Sequence, residues 1–244
     1  MTLTEIKGIT VFFPAFNDER SIADLVLKAK DVCSEFTDDV ELIVVNDGSV
    51  DNTAGELLEL QEVVPELQVI THQVNRGYGA AVSAGIGAAS KEFVFYTDGD
   101  GQYDVGDLRL LINALNEDVD IVNGFKLNRA DALHRRVLGD IYSRFARTLF
   151  HLPIRDVDCD FRLMRRRVVQ RLELRSSSGA ICVELVHQLN KAGARFAEVG
   201  IPHYPRVAGR SQFFSPVRIY RTFLQLGSLR RRAFAVHGSL HTEK

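Results

Sequence analysis

With 244 residues, 45% of them hydrophobic, the chain has enough apolar surface for one large domain with its own core. No run approaches the roughly 18 apolar residues that a membrane-spanning helix needs, and the first residues lack a basic-then-apolar leader pattern. The net charge of −2 hides an asymmetry, because residues 1–125 carry 23 acidic against 7 basic side chains and residues 126–244 carry 9 against 23.

Ile9 to Phe13 is a continuous apolar run that predicts a strand buried on both faces. Ile22, Leu25, Val26, Ala29 and Cys33 then recur at helical spacing. Leu42 to Val45 predicts a second buried strand. Asp51 or Asn52 can cap the next helix, which carries Leu57, Leu58 and Leu60. Val69-Ile70 is a short third strand, Gly79 to Ala89 a small-residue helix, and Phe93 to Thr97 a fourth strand. A helix through Leu108, Leu111, Ile112 and Leu115 leads to a strand at Ile121-Val122. This order predicts an α/β fold, one Rossmann-like domain with a mostly parallel central sheet. Gly77-Tyr78-Gly79-Ala80-Ala81-Val82 lacks the third glycine of a dinucleotide fingerprint, so close helix packing explains its small residues better.

Asp98-Gly99-Asp100-Gly101-Gln102-Tyr103 follows the fourth strand. Two carboxylates one residue apart suit a hard divalent cation, which completes its shell with water and substrate phosphate oxygens. In open α/β sheets ligands bind beyond the carboxyl ends of the strands. The hexapeptide therefore predicts a metal-bridged nucleotide diphosphate. The competing reading is an acidic Gly-rich turn. Two more polar clusters fall on the same predicted edge: Pro14-Ala15-Phe16-Asn17-Asp18-Glu19, and Asn46-Asp47-Gly48-Ser49 continuing to Asp51 and Thr53. Asp18 and Asp47 can accept hydrogen bonds from a base or a ribose, with helix N-capping as the alternative use.

Together with Asn75-Arg76-Gly77, these segments resemble family 2 glycosyltransferases of the GT-A fold. The nearest likeness is to polyprenyl- and dolichyl-phosphate mannosyl- and glucosyltransferases, over roughly residues 8 to 230. The resemblance implies that Pro14, Phe16, Asp18, Val45 and Asp47 hold the base and ribose. It adds Asp98, Gly99, Lys126 and Arg206 to the nucleotide-sugar site, and sets Asp98, Asp100 and Gln102 around Mg²⁺ or Mn²⁺. Asp98, Asp100 and Asp160 are then the catalytic carboxylates, and Arg135 or Arg136 meets an acceptor phosphate. Asp156 to Leu163 is similar to the family's acidic segment, and Arg206 to Gln212 to a loop near the diphosphate. Asp18 stands for a Glu, Asn46 for an Asp, Gly101 for a bulkier apolar residue and Gln212 for a Lys.

The activity so implied is inverting transfer of a hexose from a GDP- or UDP-linked sugar to a polyprenyl phosphate. A phosphate acceptor is already an anionic nucleophile, whereas a sugar hydroxyl needs a base within hydrogen-bond reach. Asp156 and Asp160 are the candidates for that base, unless they pair with Arg155, Arg162 or Arg165. The alternatives are thus a hydroxyl acceptor, or a catalytically silent nucleotide-sugar-binding subunit marked by Asn46 and Gln212.

Residues 199–242 contain no Asp or Glu. They carry Arg206, Arg210, Arg218, Arg221 and Arg230-Arg231-Arg232, with Phe213, Val217, Tyr220 and Leu224 at helical spacing. This predicts a catalytic domain over 1–212 and a basic amphipathic segment over 213–244, which either lies on an anionic membrane or packs on the domain. Nucleic acid is not expected, since neither zinc-finger spacing nor an RNA-binding aromatic signature is present. Cys33, Cys159 and Cys182 are odd in number and lack ligand spacing, as in a reducing compartment. The expectation is a cytoplasmic protein, peripheral at the cytoplasmic membrane face or held by a membrane-anchored partner. The seven histidines form no metal-ligand pair and are assigned to surface or core.

Overall fold

The computed structural model describes residues 5–127, 133–206 and 216–239, without the side chains of residues 133–138, 216, 218 and 233–239. Seven strands form one sheet: β1 (Ile9–Ala15), β2 (Val40–Asn46), β3 (Gln68–Thr71), β4 (Phe93–Thr97), β5 (Ile121–Lys126), β6 (Phe161–Arg165) and β7 (Phe196–Ile201). Their spatial order is β3-β2-β1-β4-β6-β5-β7, and β6 runs against the other six. Helices α1 (Ile22–Ser34), α2 (Thr53–Val63), α3 (Tyr78–Ala88), α4 (Leu108–Asn113), α5 (Leu133–Phe150), α6 (Arg166–Val169), α7 (Ala180–Lys191) and α8 (Pro216–Ser239) supply the covering layers. No described helix is long and apolar enough to cross a membrane.

The first four strands and the helices between them follow the predicted order. Side chains alternate across β1, so Val11 and Phe13 enter one core with α1 and α2 while Phe12 enters the other with α3 and α7. α3 must be made of small residues because it lies almost on the sheet: a Cβ on Gly85 would stand 2.2 Å from the Phe12 ring. Two details differ from expectation. Leu57 and Leu60 are buried, but Leu58 is 67% exposed, since it points about 100° round the helix from Leu57. Asn52 occupies the N-cap of α2 without a side-chain capping bond, its Nδ2 donating to Glu56 Oε1 at 3.2 Å, and Asp51 Oδ1 instead accepts from Thr53 N and Oγ1 at 3.0 and 2.6 Å.

The strand order reverses at β1, whose chain successors β2 and β3 lie on one side while β4 lies on the other. Such a reversal opens a crevice beyond the carboxyl ends of the two diverging strands. Residues 14–19 and 98–103 flank this one. Because β6 is antiparallel to β4, pairing Thr97 with Phe161, its leading residues Asp156 to Asp160 reach the same edge.

Candidate functional site

A cavity of about 370 Å³ fills that crevice. Pro14, Phe16, Asp18, Asp47, Asp98, Gly99, Asp100, Gln102, Lys126, Asp160 and Arg206 all line it, so segments distant in sequence converge as expected. Val45 does not reach the cavity: it is fully buried in β2 and packs in the core layer that contains Phe12. Within β2 it holds the strand that presents Asp47. The side chains of Arg135 and Arg136, and residues 207–212, lie outside the described residues.

Four carboxylates set the electrostatics. Asp98 Oδ1 accepts from the Tyr78 hydroxyl at 2.8 Å. Burial, with Asp160 and Asp100 nearby, pushes the Asp98 carboxyl well above the ordinary carboxylate range. Asp100 Oδ1 accepts from Gln102 N at 3.0 Å, and its Oδ2 lies 2.5 Å from Arg206 Nη2. Burial raises Asp100 as well, and Arg206 partly offsets the rise. Asp18 Oδ2 accepts from Phe16 N at 2.9 Å, and burial lifts its carboxyl to about 6. Gln102 contributes through its backbone, while its Nε2 donates to Tyr204 O at 3.3 Å.

Asp160 is held differently. Its Oδ1 accepts from the Tyr96 hydroxyl and from Cys182 Sγ, each at 3.2 Å. Burial keeps both donors protonated by raising the tyrosine and thiol pKa values. Arg162 stands in register between Tyr96 of β4 and Asn123 of β5. It is fully buried, donating to Tyr96 Oη at 2.9 Å, to Val157 O at 2.5 Å and to Asn123 Oδ1. Asp160 thus meets Arg162 through Tyr96 and forms no direct ion pair with it. Arg155 pairs with Glu198 and Arg165 with Glu92, which overturns the arginine pairing considered for Asp160. Asp156 shapes its own loop, accepting from Lys126 N at 3.3 Å and Asp158 N at 3.2 Å. Lys126 Nζ donates to Asp158 O at 2.6 Å at the cavity wall.

At the other end, Asp47 is engaged by its own chain. Oδ1 accepts from Arg76 N at 2.9 Å and lies 2.6 Å from His72 Nδ1, while Oδ2 accepts from Gly77 N at 2.8 Å. Asn75 Nδ2 donates to Asp47 O at 3.1 Å. Gly48 has φ +70° and sits where a Cβ would be 2.6 Å from Asn75 N, so this turn requires glycine.

Residues 10–173 match the family model described as Glycosyl transferase family 2. The chain is a family 2 glycosyltransferase. Among its relatives are undecaprenyl-phosphate 4-deoxy-4-formamido-L-arabinose transferases. The one from Photorhabdus laumondii is 26% identical over 87% of this chain and 65% of its own length. That from Yersinia pestis strain Pestoides F is 27% identical, again over 87% and 65%. This transferase therefore spans less than two thirds of the length of these relatives. Its fold is also that of glucosyl-3-phosphoglycerate synthase from Mycobacterium tuberculosis. The complex with Mn²⁺, UDP and glucosyl-3-phosphoglycerate has TM-score 0.62 at 18% identity, covering 96% of this chain and 79% of that one. The complex with Mg²⁺ and UDP has TM-score 0.64 at 15% identity, with 96% and 79% coverage.

Sequence reasoning missed Tyr78, Tyr96, His72 and Cys182 as supports of this transferase's carboxylates. Tyr78 follows Arg76-Gly77 directly, the one local signal available. Among the described residues no group of three or more His, Cys, Asp or Glu side chains is arranged to hold a metal ion. Asp98 and Asp100 nevertheless fit a hard cation chemically, as buried oxygen donors beside Asp160 whose repulsion positive charge would relieve.

Proposed function

We propose that this transferase moves a hexose from a UDP- or GDP-linked sugar to a polyprenyl phosphate of the undecaprenyl type, at the cytoplasmic face of a membrane. One observation carries the reading: buried carboxylates and the cations Lys126 and Arg206 converge in one cavity at the β1/β4 switch point. Relatives named for undecaprenyl phosphate as acceptor support the lipid. Pro14, Phe16, Asp18 and Asp47 border the base and ribose end. Asp98 and Asp100 would hold Mg²⁺ or Mn²⁺, which when bound supplies a Lewis acid for the departing diphosphate. Arg206 and Lys126 add fixed positive charge where the β-phosphate becomes more negative.

An oxygen of the acceptor phosphate forms the new bond to the anomeric carbon as the bond from that carbon to the β-phosphate oxygen breaks. The electron pair leaves with the nucleoside diphosphate, and no proton must be removed from the acceptor. Arg135 and Arg136 are proposed to position that phosphate. A second reading, transfer to a hydroxyl with Asp160 as base, is favoured by one feature. Asp160 lines the cavity with Oδ1 held in place, while Oδ2 accepts no bond among the described residues.

Incubation with labelled UDP- and GDP-sugars, Mn²⁺ and undecaprenyl phosphate in detergent should carry label into the organic phase. Asp100→Ala should abolish that transfer with the circular dichroism spectrum unchanged. If one donor raises the melting temperature yet label stays with water-soluble products, the lipid acceptor is wrong and the hydroxyl reading stands.

A further inference from the structure

We propose that the outward faces of α5 and α8 form one docking surface for an anionic lipid bilayer, which seats the cavity mouth at the membrane. The proposal rests on the lipid-acceptor reading above and names the surface that serves it.

α8 has two unlike faces. Inward, Thr222, Leu226 and Leu229 are buried, Gln225 Oε1 accepts from Ser178 N and Oγ, and Arg232 Nη2 lies 3.0 Å from Glu184 Oε1. Outward, Val217, Tyr220 and Leu224 lie three and four residues apart along one stripe and are 59%, 64% and 54% exposed. Phe223 links this stripe to α5, its ring centroid 6.3 Å from those of Tyr142 and Phe145. On α5, Ile141 and Phe145 are one turn apart and exposed. Isolated exposed apolar residues need no explanation, but six large ones on adjoining helices mark an interaction site.

Charge selects the occupant. Arg221 and Arg231 flank the stripe on α8, Arg231 two turns beyond Leu224, and Arg144 lies beside Phe145 on α5. None of the three pairs with a carboxylate among the described residues, and α8 contains no acid. A second copy of the chain meeting this face would set arginine against arginine. Anionic lipid takes both features, burying aromatic and aliphatic side chains at the acyl boundary and matching Arg to phosphate. The face also runs to the cavity, which Gly139 of α5 and Arg221 and Thr222 of α8 help to line. Of the Arg230-Arg231-Arg232 triplet, Arg231 serves this face and its two neighbours are tied to the domain. Arg230 Nη1 donates to Leu149 O at 2.6 Å and Arg232 is tied to Glu184, so two of the three hold the fold together.

The chain contains no Trp, so one introduced Trp reports alone. In the full chain, Tyr220→Trp emission should shift to the blue with phosphatidylcholine vesicles containing phosphatidylglycerol, and much less with phosphatidylcholine alone. Leu58→Trp, on the exposed face of α2, should not shift. Combined Ile141→Ser, Phe145→Ser and Leu224→Ser should weaken vesicle sedimentation roughly tenfold or more, with nucleotide diphosphate affinity retained. A Tyr220→Trp spectrum unmoved by vesicles overturns the proposal, as does a shift that follows protein concentration without lipid, which would mean self-association. Transfer to undecaprenyl phosphate in detergent micelles separates the two ideas. Transfer without vesicle binding removes the docking surface alone, and vesicle binding without transfer removes the lipid acceptor alone.

Discussion

His72 and Asp47 form a buried polar pair at one end of the cavity, with Nδ1 of one 2.6 Å from Oδ1 of the other. The same carboxylate collects the amides of Arg76 and Gly77, so His72 helps to fix the turn that shapes this wall. Removing one partner of a buried polar contact costs about 1 to 3 kcal/mol. His72→Phe should destabilise the chain by about that amount in urea unfolding, and should loosen nucleotide diphosphate binding by roughly tenfold in calorimetry. Unchanged affinity would show that Asp47 is positioned by the backbone amides alone.

The Arg162–Tyr96–Asp160 relay gives a second expectation. Tyr96→Phe takes a donor from Asp160 and an acceptor from Arg162, both buried. Stability should fall by about 1 to 3 kcal/mol. If the acceptor is a hydroxyl with Asp160 as base, Tyr96 is a positioning residue and kcat should drop roughly ten- to a hundredfold with KM for the donor near that of the wild type. With a phosphate acceptor kcat should stay near the wild-type value. A variant that loses stability but keeps kcat would make the relay purely structural.

Sequence made the strand–helix alternation up to β5 legible because doubly buried parallel strands are continuous apolar runs. It also placed the Asp18, Asp47 and Asp98 loops on one edge. β6 was not legible, because its second residue is Arg162, and a charged residue does not advertise a position in the middle of a sheet. Only the antiparallel insertion of that strand brings Asp160 beside Asp98. Nor was the direction of the Val45 side chain legible: strand alternation decides it, and here it points into the core. The α8 stripe was visible, but spacing alone does not separate a face packed on the domain from an exposed one. Neighbours on α5 and α7 decide that.

Asp98 and Asp100 set function against stability. Their carboxyls are raised because burial, with the charge of Asp160 nearby, disfavours the ionised forms, an effect that Arg206 partly offsets at Asp100. Asp98→Asn and Asp100→Asn should each raise the melting temperature without metal, and each should remove the rise that Mn²⁺ with a nucleotide diphosphate gives the wild type. Transfer should fall by about a hundredfold or more. A metal-dependent rise that survives in both variants would place the cation elsewhere.

Asp18 makes stability depend on pH in the direction opposite to a salt-bridged carboxylate. Its folded pKa is about 6 against an ordinary 3.8, chiefly through burial and partly through Asp100. Between those values the folded chain binds the proton that the unfolded chain has released, so this group's contribution falls as pH rises through the window. Below pH 3.8 both states are protonated and there is no penalty; above about 6 both are charged and the penalty is complete. Asp18→Asn removes the titration, and its amide oxygen can still accept from Phe16 N. The variant should match the wild type near pH 4 and exceed it by about 1 to 3 kcal/mol at pH 7, read from urea midpoints at matched ionic strength. A constant difference across the range would mean that Asp18 ionises at its ordinary pKa, and that its burial is relieved by water reaching the cavity.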